Sequence, residues 1–220
     1  MNSAKNKKSG LFSFKYLMYD FLRIILWFPG FLVWRPKYLY ENKTASKKIK
    51  GGAVVISNHL GFMDPVYLMY GLWYRRLHIV ALSVLFNTKI KNFFFRHFLC
   101  IPVDRENFNM STFREIISVL KQNQIVAIFP EGRINFENKG LQTFKSGMVL
   151  MAMQSGKPVV PVFIEKKKGL INRLVVVVGE PILIDSKNSN LKMIENVTSE
   201  IYNKENILKK IAEDYRSKND

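Results

Sequence analysis

The stretch Ser57-Asn58-His59-Leu60-Gly61-Phe62-Met63-Asp64-Pro65 joins two apolar segments of the chain. The segment before it, residues 53–56, predicts a buried strand, and residues 66–70 are compatible with a helix. A His and an Asp therefore lie in a turn between a strand end and a helix start. In α/β folds, ligands bind outside the carboxyl ends of strands. We also expect Asp64 at the N-cap of the helix and Pro65 at its first position.

The pair of His59 and Asp64 is suited to proton transfer. A His accepts a proton from a hydroxyl near neutral pH, and an Asp on the other ring nitrogen sets the tautomer and stabilises the imidazolium. An ordinary surface pair is the alternative interpretation. A second motif, Phe129-Pro130-Glu131-Gly132-Arg133, favours the catalytic one, because it also follows an apolar run, at residues 125–128, and so lies at a strand end.

In this order, NHLGFMD and FPEGR resemble the glycerolipid acyltransferase family, whose members transfer an acyl chain to lysophosphatidic acid or a related lysolipid. Two further blocks are similar to that family: Cys100-Ile101-Pro102-Val103-Asp104-Arg105 and Val159-Val160-Pro161-Val162. The resemblance extends over residues 52–178. Cys100 stands where the family commonly has Gly, and Arg133 directly follows Gly132 where the family commonly has F-P-E-G-T-R.

The resemblance implies an α/β fold of the glycerol-3-phosphate acyltransferase type, with a central, mostly parallel sheet flanked by helices. The alternation of strand-like and helix-like segments along the chain predicts the same architecture. We assign residues 51–220 to this acyltransferase domain. Residues 1–50 are assigned to a basic tail, membrane-anchoring helices and a linker.

The resemblance also implies roles for individual residues. His59 is expected to be the general base, with Asp64 as its orienting partner, and no metal is expected. Expected substrate-binding residues are Asn58, Arg105, Glu131, Gly132, Arg133, Lys145 and Pro161, of which Arg105, Arg133 and Lys145 are the candidate cations for a phosphate. The alternatives are structural: a surface ion pair for Arg105, a cap for Glu131, a turn anchor for Asn58 and an edge-strand marker for Pro161.

The N-terminal segment, residues 11–34, is rich in aromatic and aliphatic side chains. It carries Lys15, Asp20 and Arg23, and Pro29-Gly30 is expected to break it. We predict an interfacial helix, a break and a shorter second helix lying in one leaflet. A single transmembrane span and a core helix of the soluble domain are the alternatives. Residues 86–98, with Phe93-Phe94-Phe95, are predicted to form a second membrane-touching helix. Thr112 and Glu115 suggest a capping box for a later helix.

The charge of the chain indicates an anionic partner. Its 220 residues carry 34 Lys and Arg against 17 Asp and Glu, a formal net charge of +17. Anionic membrane and nucleic acid are the usual partners of such proteins. Neither zinc-finger spacing nor an aromatic RNA-binding signature is present, so we expect a membrane surface and no nucleic acid. A single cysteine excludes an internal disulfide framework and is consistent with a reducing compartment.

The predicted function is acyl transfer from a thioester of acyl carrier protein or coenzyme A to lysophosphatidic acid, forming phosphatidic acid, with no further cofactor. The expected location is the cytoplasmic face of the inner or plasma membrane. Two alternatives stay open: the same chemistry on glycerol 3-phosphate, another lysophospholipid or a lyso-amino-acid lipid, and a non-catalytic basic protein that binds membrane or nucleic acid.

Overall fold

The computed structural model describes residues 16–104, 109–137, 140–165, 173–185 and 190–219, apart from the side chains of Leu26 and Trp27. The helices within these ranges are α1 (Leu17–Trp34), α2 (Asp64–Gly71), α3 (Lys89–His97), α4 (Met110–Lys121), α5 (Gly147–Ser155) and α6 (Leu191–Asn219). The strands are β1 (Lys37–Tyr40), β2 (Ala53–Ser57), β3 (Leu77–Leu82), β4 (Cys100–Val103), β5 (Ile125–Ile128), β6 (Val159–Glu165) and β7 (Val175–Val178). A short 3-10 helix, Ser83–Phe86, precedes α3.

The strands form one sheet in the order β1-β7-β6-β2-β5-β3-β4. Neighbouring strands run parallel except β6 and β7, which are antiparallel. Sheets of this kind are covered on both faces, so their central strands are apolar on both sides. Accordingly, β2 and β7 are buried along their whole length. The predicted central, mostly parallel sheet flanked by helices is confirmed.

Two layers of side chains cover the sheet. On one face, Leu68 and Leu72 from α2 and its carboxyl end join a buried cluster with Val55 and Val160. On the other face, α4, α5 and α6 contribute to buried clusters that include Ile116, Met148, Ile201 and Leu208. Strand β1 was not predicted. It lies inside the segment assigned to anchor and linker, yet it pairs with β7 at the edge of the sheet.

The break predicted near Pro29-Gly30 is present as a bend within α1 and not as the end of a helix. The helix continues to Trp34 but bends by 41° between Leu17–Ile25 and Phe28–Trp34. Pro29 has no N–H for the carbonyl four residues earlier and its ring crowds that carbonyl, so the bend falls at this point. Gly30 allows α1 to pack closely against Tyr70 of α2, because a side chain at this position would collide with the Tyr70 hydroxyl.

The two sides of α1 have opposite character. Asp20 is buried and makes a double hydrogen bond with Arg76, with Nε to Oδ1 at 3.1 Å and Nη2 to Oδ2 at 2.7 Å. The hydroxyl of Tyr19 accepts from the backbone N–H of Leu77. The outer face is apolar, with side chains 48% to 64% exposed: Leu17, Phe21, Ile24, Ile25, Phe28, Phe31, Leu32 and Val33. The helix therefore turns its charged side inward and its apolar side outward.

Membrane-spanning potential among the described residues is confined to α1. None of the described helices alone is long and apolar enough to cross a bilayer, and the two arms of α1 meet the criterion only when taken together, by length and composition.

Two local predictions about helix ends are wrong. Helix α4 is capped by Asn109, whose Oδ1 accepts from the Ser111 N–H at 2.9 Å, and not by a Thr112–Glu115 capping box. Glu115 instead pairs with Arg96 across the surface. Asp64 is the first residue of α2 and not its N-cap. Its carboxylate accepts a hydrogen bond from the backbone N–H of Leu60 in the preceding loop and does not cap the helix.

Candidate active site

The two sequence motifs meet at the carboxyl edge of the sheet. Strand β2 pairs with β5 in a register that places Ile56 opposite Ile128. His59 and Glu131 each follow these paired residues by three positions, so the two loops leave the sheet side by side. The predicted position at adjacent strand ends follows from the parallel register of the two strands.

His59 and Asp64 form the central contact of the site. The Nδ1 atom of His59 lies 2.9 Å from Oδ2 of Asp64. The same oxygen accepts the backbone N–H groups of Leu60 and Gly61, so a single oxygen closes the whole turn. Nε2 of His59 makes no hydrogen bond to any described residue and is the nitrogen that remains for a substrate. The His59 ring also stacks on Phe129, with ring centroids 4.2 Å apart.

Glu131 holds the backbone of His59. Its Oε1 accepts the His59 N–H at 3.2 Å, and its Oε2 accepts the Gln142 N–H at 3.4 Å. Burial raises the pKa of this carboxyl, and the two N–H donors partly oppose the rise. Among the described residues, both oxygens are directed to backbone groups, so Glu131 acts as a clamp on the turn of His59.

Asn135 completes this clamp, and the sequence had not indicated it. Its backbone N–H donates to the carbonyl of His59 at 2.7 Å, and its buried side chain donates to the carbonyl of Gly140. The N–H and C=O of His59 are thus both engaged by the loop after β5. No local sequence signal marks Asn135, because its role depends on how that loop crosses the turn.

Asn58 is a structural residue, which corrects its assignment to substrate binding. Its side chain is buried, with Nδ2 donating to the carbonyl of Ile164 and Oδ1 accepting the Ile164 N–H, both at 2.8 Å. The amide thereby extends the pairing of β2 with β6 by one residue beyond the strand end. A side chain committed to two backbone bonds in the core is not available to a ligand.

Gly132, Arg133 and Lys145 lie together on the loop after β5. Gly132 has φ +68°, and a Cβ there would lie 3.2 Å from Cε of Lys145. Glycine is favoured here for two reasons: it adopts the left-handed backbone conformation without strain, and it leaves room for the Lys145 side chain that lies over it. Arg133 is exposed and its Nε donates to the Gln142 side chain at 2.5 Å. Two exposed cations thus flank the clamp formed by Glu131.

The remaining predicted residues are separate from this cluster. Arg105 lies outside the described residues. Pro161 is buried on the α6 side of β6, where its ring fills the space beside Gly179, next to Leu208. Strand β6 lies between β2 and β7, so Pro161 is not an edge-strand marker. Its contacts place it in the core.

Two exposed phenylalanines border the site. Phe62 comes from the turn that carries His59 and Asp64, and Phe136 comes from the loop after β5. They are 79% and 75% exposed, and their ring centroids are 6.4 Å apart. A separate cleft, lined by Tyr38, Trp73 and Tyr74, lies at the carboxyl end of α2, away from the helix end that carries Asp64.

Comparison with known proteins places the chain in a family. The family model described as Acyltransferase matches residues 37–165, which include both motifs. A 1-acyl-sn-glycerol-3-phosphate acyltransferase of Bacillus subtilis is 32% identical over 139 residues, covering 60% of this chain and 67% of that protein. One of Streptococcus pneumoniae is 30% identical over 155 residues, covering 67% of this chain and 57% of that protein. The chain thus spans between about half and two thirds of these relatives.

The fold has a counterpart among solved structures. The crystal structure of the 1-acyl-sn-glycerophosphate (LPA) acyltransferase PlsC of Thermotoga maritima superposes with a TM-score of 0.61 at 20% identity. The match covers 87% of this chain and 78% of that one. The chain belongs to the acyltransferase family, and by family it is an acyltransferase.

Proposed function

We propose that this protein transfers an acyl chain from a thioester of acyl carrier protein or coenzyme A to lysophosphatidic acid, forming phosphatidic acid. The observation that carries the proposal is the contact of His59 Nδ1 with Asp64 at 2.9 Å, which leaves Nε2 for a substrate hydroxyl. Family membership and the names of the relatives support the acceptor.

The reaction needs no nucleophile from the protein. Nε2 of His59 takes the proton of the acceptor hydroxyl as that oxygen bonds to the thioester carbonyl carbon. The tetrahedral oxyanion then collapses, the carbon–sulfur bond breaks, and the leaving thiolate takes the proton from His59. Asp64 accepts the hydrogen bond from Nδ1 and stabilises the imidazolium between the two steps.

The acceptor phosphate requires cations beside the reacting hydroxyl. Arg133 and Lys145 supply two exposed cations on the loop that clamps His59. Arg105 is proposed as a third by its motif. Guanidinium groups bind phosphate in a bidentate manner, whereas an ammonium acts as a point charge. Thioesters of both donors are anionic, which agrees with the net charge of +17.

We further propose that α1 and α3 attach the protein to the cytoplasmic face of an anionic membrane without crossing it. The outward face of α1 exposes eight large apolar side chains by 48% to 64%, and exposed apolar patches of this kind mark membrane or partner interfaces. In α3, Phe93 and Phe94 are about half exposed, while Phe95 packs inward on Phe86. The neighbouring Lys89 and Lys91 suit anionic headgroups.

An assay with several acceptors tests the proposed reaction. Purified protein is given lysophosphatidic acid, glycerol 3-phosphate, lysophosphatidylcholine or a lyso-amino-acid lipid in vesicles, with each thioester donor. Products are identified by mass spectrometry. We expect phosphatidic acid as the main product. If lysophosphatidic acid is left unacylated while the Bacillus subtilis relative acylates it in the same vesicles, the proposed acceptor is wrong.

The anchor has its own test. We expect the triple variant Phe21→Ser, Ile24→Ser and Phe28→Ser to bind anionic vesicles about 100-fold more weakly or worse, because each side chain contributes about 1.5–3 kcal/mol when fully buried in lipid. Vesicle flotation measures the binding. Leu183→Ser with Leu191→Ser is the matched control, since both leucines are at least as exposed but lie far from α1 in sequence. Equal binding of the two variants contradicts the anchor.

A further inference from the structure

Helix α6 buries one charged residue among apolar ones. Its inward face consists of Ile201, Leu208 and Ala212 together with Glu205. Glu205 is 0% exposed, and neither of its carboxylate oxygens has a hydrogen-bond partner among the described residues. An ionised carboxylate in such a position needs a cation or several donors. A residue of this kind in the core calls for an explanation.

Glu205 lies near two groups that belong to the turn of His59 and to the loop that holds it. The backbone N–H of Asn58 faces its carboxyl, and Glu131 lies within electrostatic reach. Asn58 directly precedes His59 in the chain, and Glu131 accepts a hydrogen bond from the His59 N–H. Burial, followed by the negative charge of Glu131, raises the pKa of Glu205 well above its usual value of 4.5.

The charged groups of α6 do not neutralise Glu205. Lys204 pairs with Glu41 beside β1, Lys209 lies 3.6 Å from Glu213, and Arg216 pairs with Glu165 of β6. Among the described residues of the elements packed against α6, the titratable group that acts on Glu205 is Glu131, whose own carboxyl contacts the turn of His59. Burial disfavours a charge on Glu205, and the like charge of Glu131 favours its protonated form further.

We propose that Glu205 is a positioning residue for the reaction at His59, acting as a neutral carboxyl that supports the Asn58 turn and the Glu131 loop from below. It does not touch the substrate. In its neutral form it adds no second charge near Glu131. The expected effect of Glu205 on the reaction rate rests on the proposed acyl transfer. The protonation of Glu205 does not, since it is a property of the fold.

The protonation is tested through stability. The unfolded chain releases the Glu205 proton near pH 4.5, whereas the folded protein retains it to higher pH. The folded state therefore binds more protons above this pH, and stability falls as pH rises until the pKa of the folded state is reached. Glu205→Gln removes this effect. We expect the Tm of Glu205→Gln minus that of the parent to increase from pH 5 to pH 8, whereas a constant difference overturns the protonation of Glu205.

The positioning role is tested with two variants of similar size. Glu205→Gln keeps a neutral polar group, while Glu205→Leu fills the same volume with an apolar one. At pH 7 we expect Glu205→Leu to be at least as stable as the parent, because an unpaired polar group has left the core. We expect its kcat to fall by about tenfold, since a small displacement of a catalytic group is costly. Glu205→Gln should retain most of the parent kcat.

The variants separate the possible results. Stable Glu205→Leu protein with the full kcat of the parent overturns the positioning role, and so does an equal loss of kcat in both variants. A parent that acylates none of the acceptors refutes the proposed function instead. In that case the stability comparison still decides whether Glu205 is neutral, because it needs no substrate.

Discussion

We expect His59→Ala to lower kcat for acyl transfer by about 10³–10⁴-fold, the upper part of the range for loss of a general base. In the proposed mechanism Nε2 takes the acceptor proton, because Nδ1 is held by Asp64. Alanine removes that atom but leaves the backbone clamp from Glu131 and Asn135 in place. KM for the thioester donor should therefore change little. Steady-state kinetics with radiolabelled donor measures both constants.

The control for this variant is His97→Ala. His97 is an exposed histidine of α3 whose Nδ1 lies 2.7 Å from the carbonyl of Phe93 in its own helix. The His97→Ala variant carries the same His-to-Ala substitution outside the candidate active site, so its kcat should match that of the parent. Thermal unfolding of both variants checks that they are folded. Activity of His59→Ala near the parent value means that another group is the base and rejects the mechanism.

The second large effect is on stability. We expect Asp20→Ala to lower the free energy of unfolding by about 3–5 kcal/mol, the usual result of breaking a buried ion pair from one side. Arg76 is then left buried, having lost both of its hydrogen bonds to Asp20. The loss also weakens the attachment of α1 to the start of β3, which the hydrogen bond from Leu77 to Tyr19 then has to hold alone among the contacts described above. Urea unfolding followed by circular dichroism measures the change.

The matched comparison is Glu115→Ala. Glu115 and Arg96 approach to 2.8 Å, close to the 2.7 Å of Asp20 and Arg76, but both side chains are more than 40% exposed. An exposed pair contributes about 0–1 kcal/mol, so this variant should be nearly neutral. Replacing Asp20 and Arg76 together by leucine should recover part of the loss, because the buried charge of Arg76 is then removed as well, although Arg23 still loses its 3.4 Å contact with Asp20. If Asp20→Ala and Glu115→Ala lower the free energy of unfolding equally, burial does not decide how much each ion pair contributes to stability.

The sequence predicted the arrangement of the sheet well where local signals were strong. The apolar runs of β2 and β5 and the polar turns after them placed His59 and Glu131 at adjacent strand ends. Strand β1 was missed because its four residues are only partly buried and its pairing partner, β7, lies far along the chain. The bend in α1 was predicted as a break, since a proline signal alone does not reveal that helix packing continues beyond it.

The roles of individual polar residues were harder to predict than their positions. Asn58 and Glu131 were both assigned to substrate, yet their side chains bond to the backbones of Ile164 and of His59 and Gln142. These partners are distant in sequence, and a motif does not show which way a side chain points. Glu205 did leave a signal, as the charged position within the apolar stripe of α6.

By itself the sequence determined the family motifs, the α/β class and the pairing of His59 with Asp64, because these depend on short-range spacing and on the period of apolar residues. Only the tertiary structure decided which groups hold the catalytic turn, how α1 docks through Asp20, and that Glu205 lies unpaired beneath the site. Those features depend on contacts between segments far apart in the chain. Their energies come from burial and hydrogen-bond geometry, which exist only once the sheet and its helices have packed.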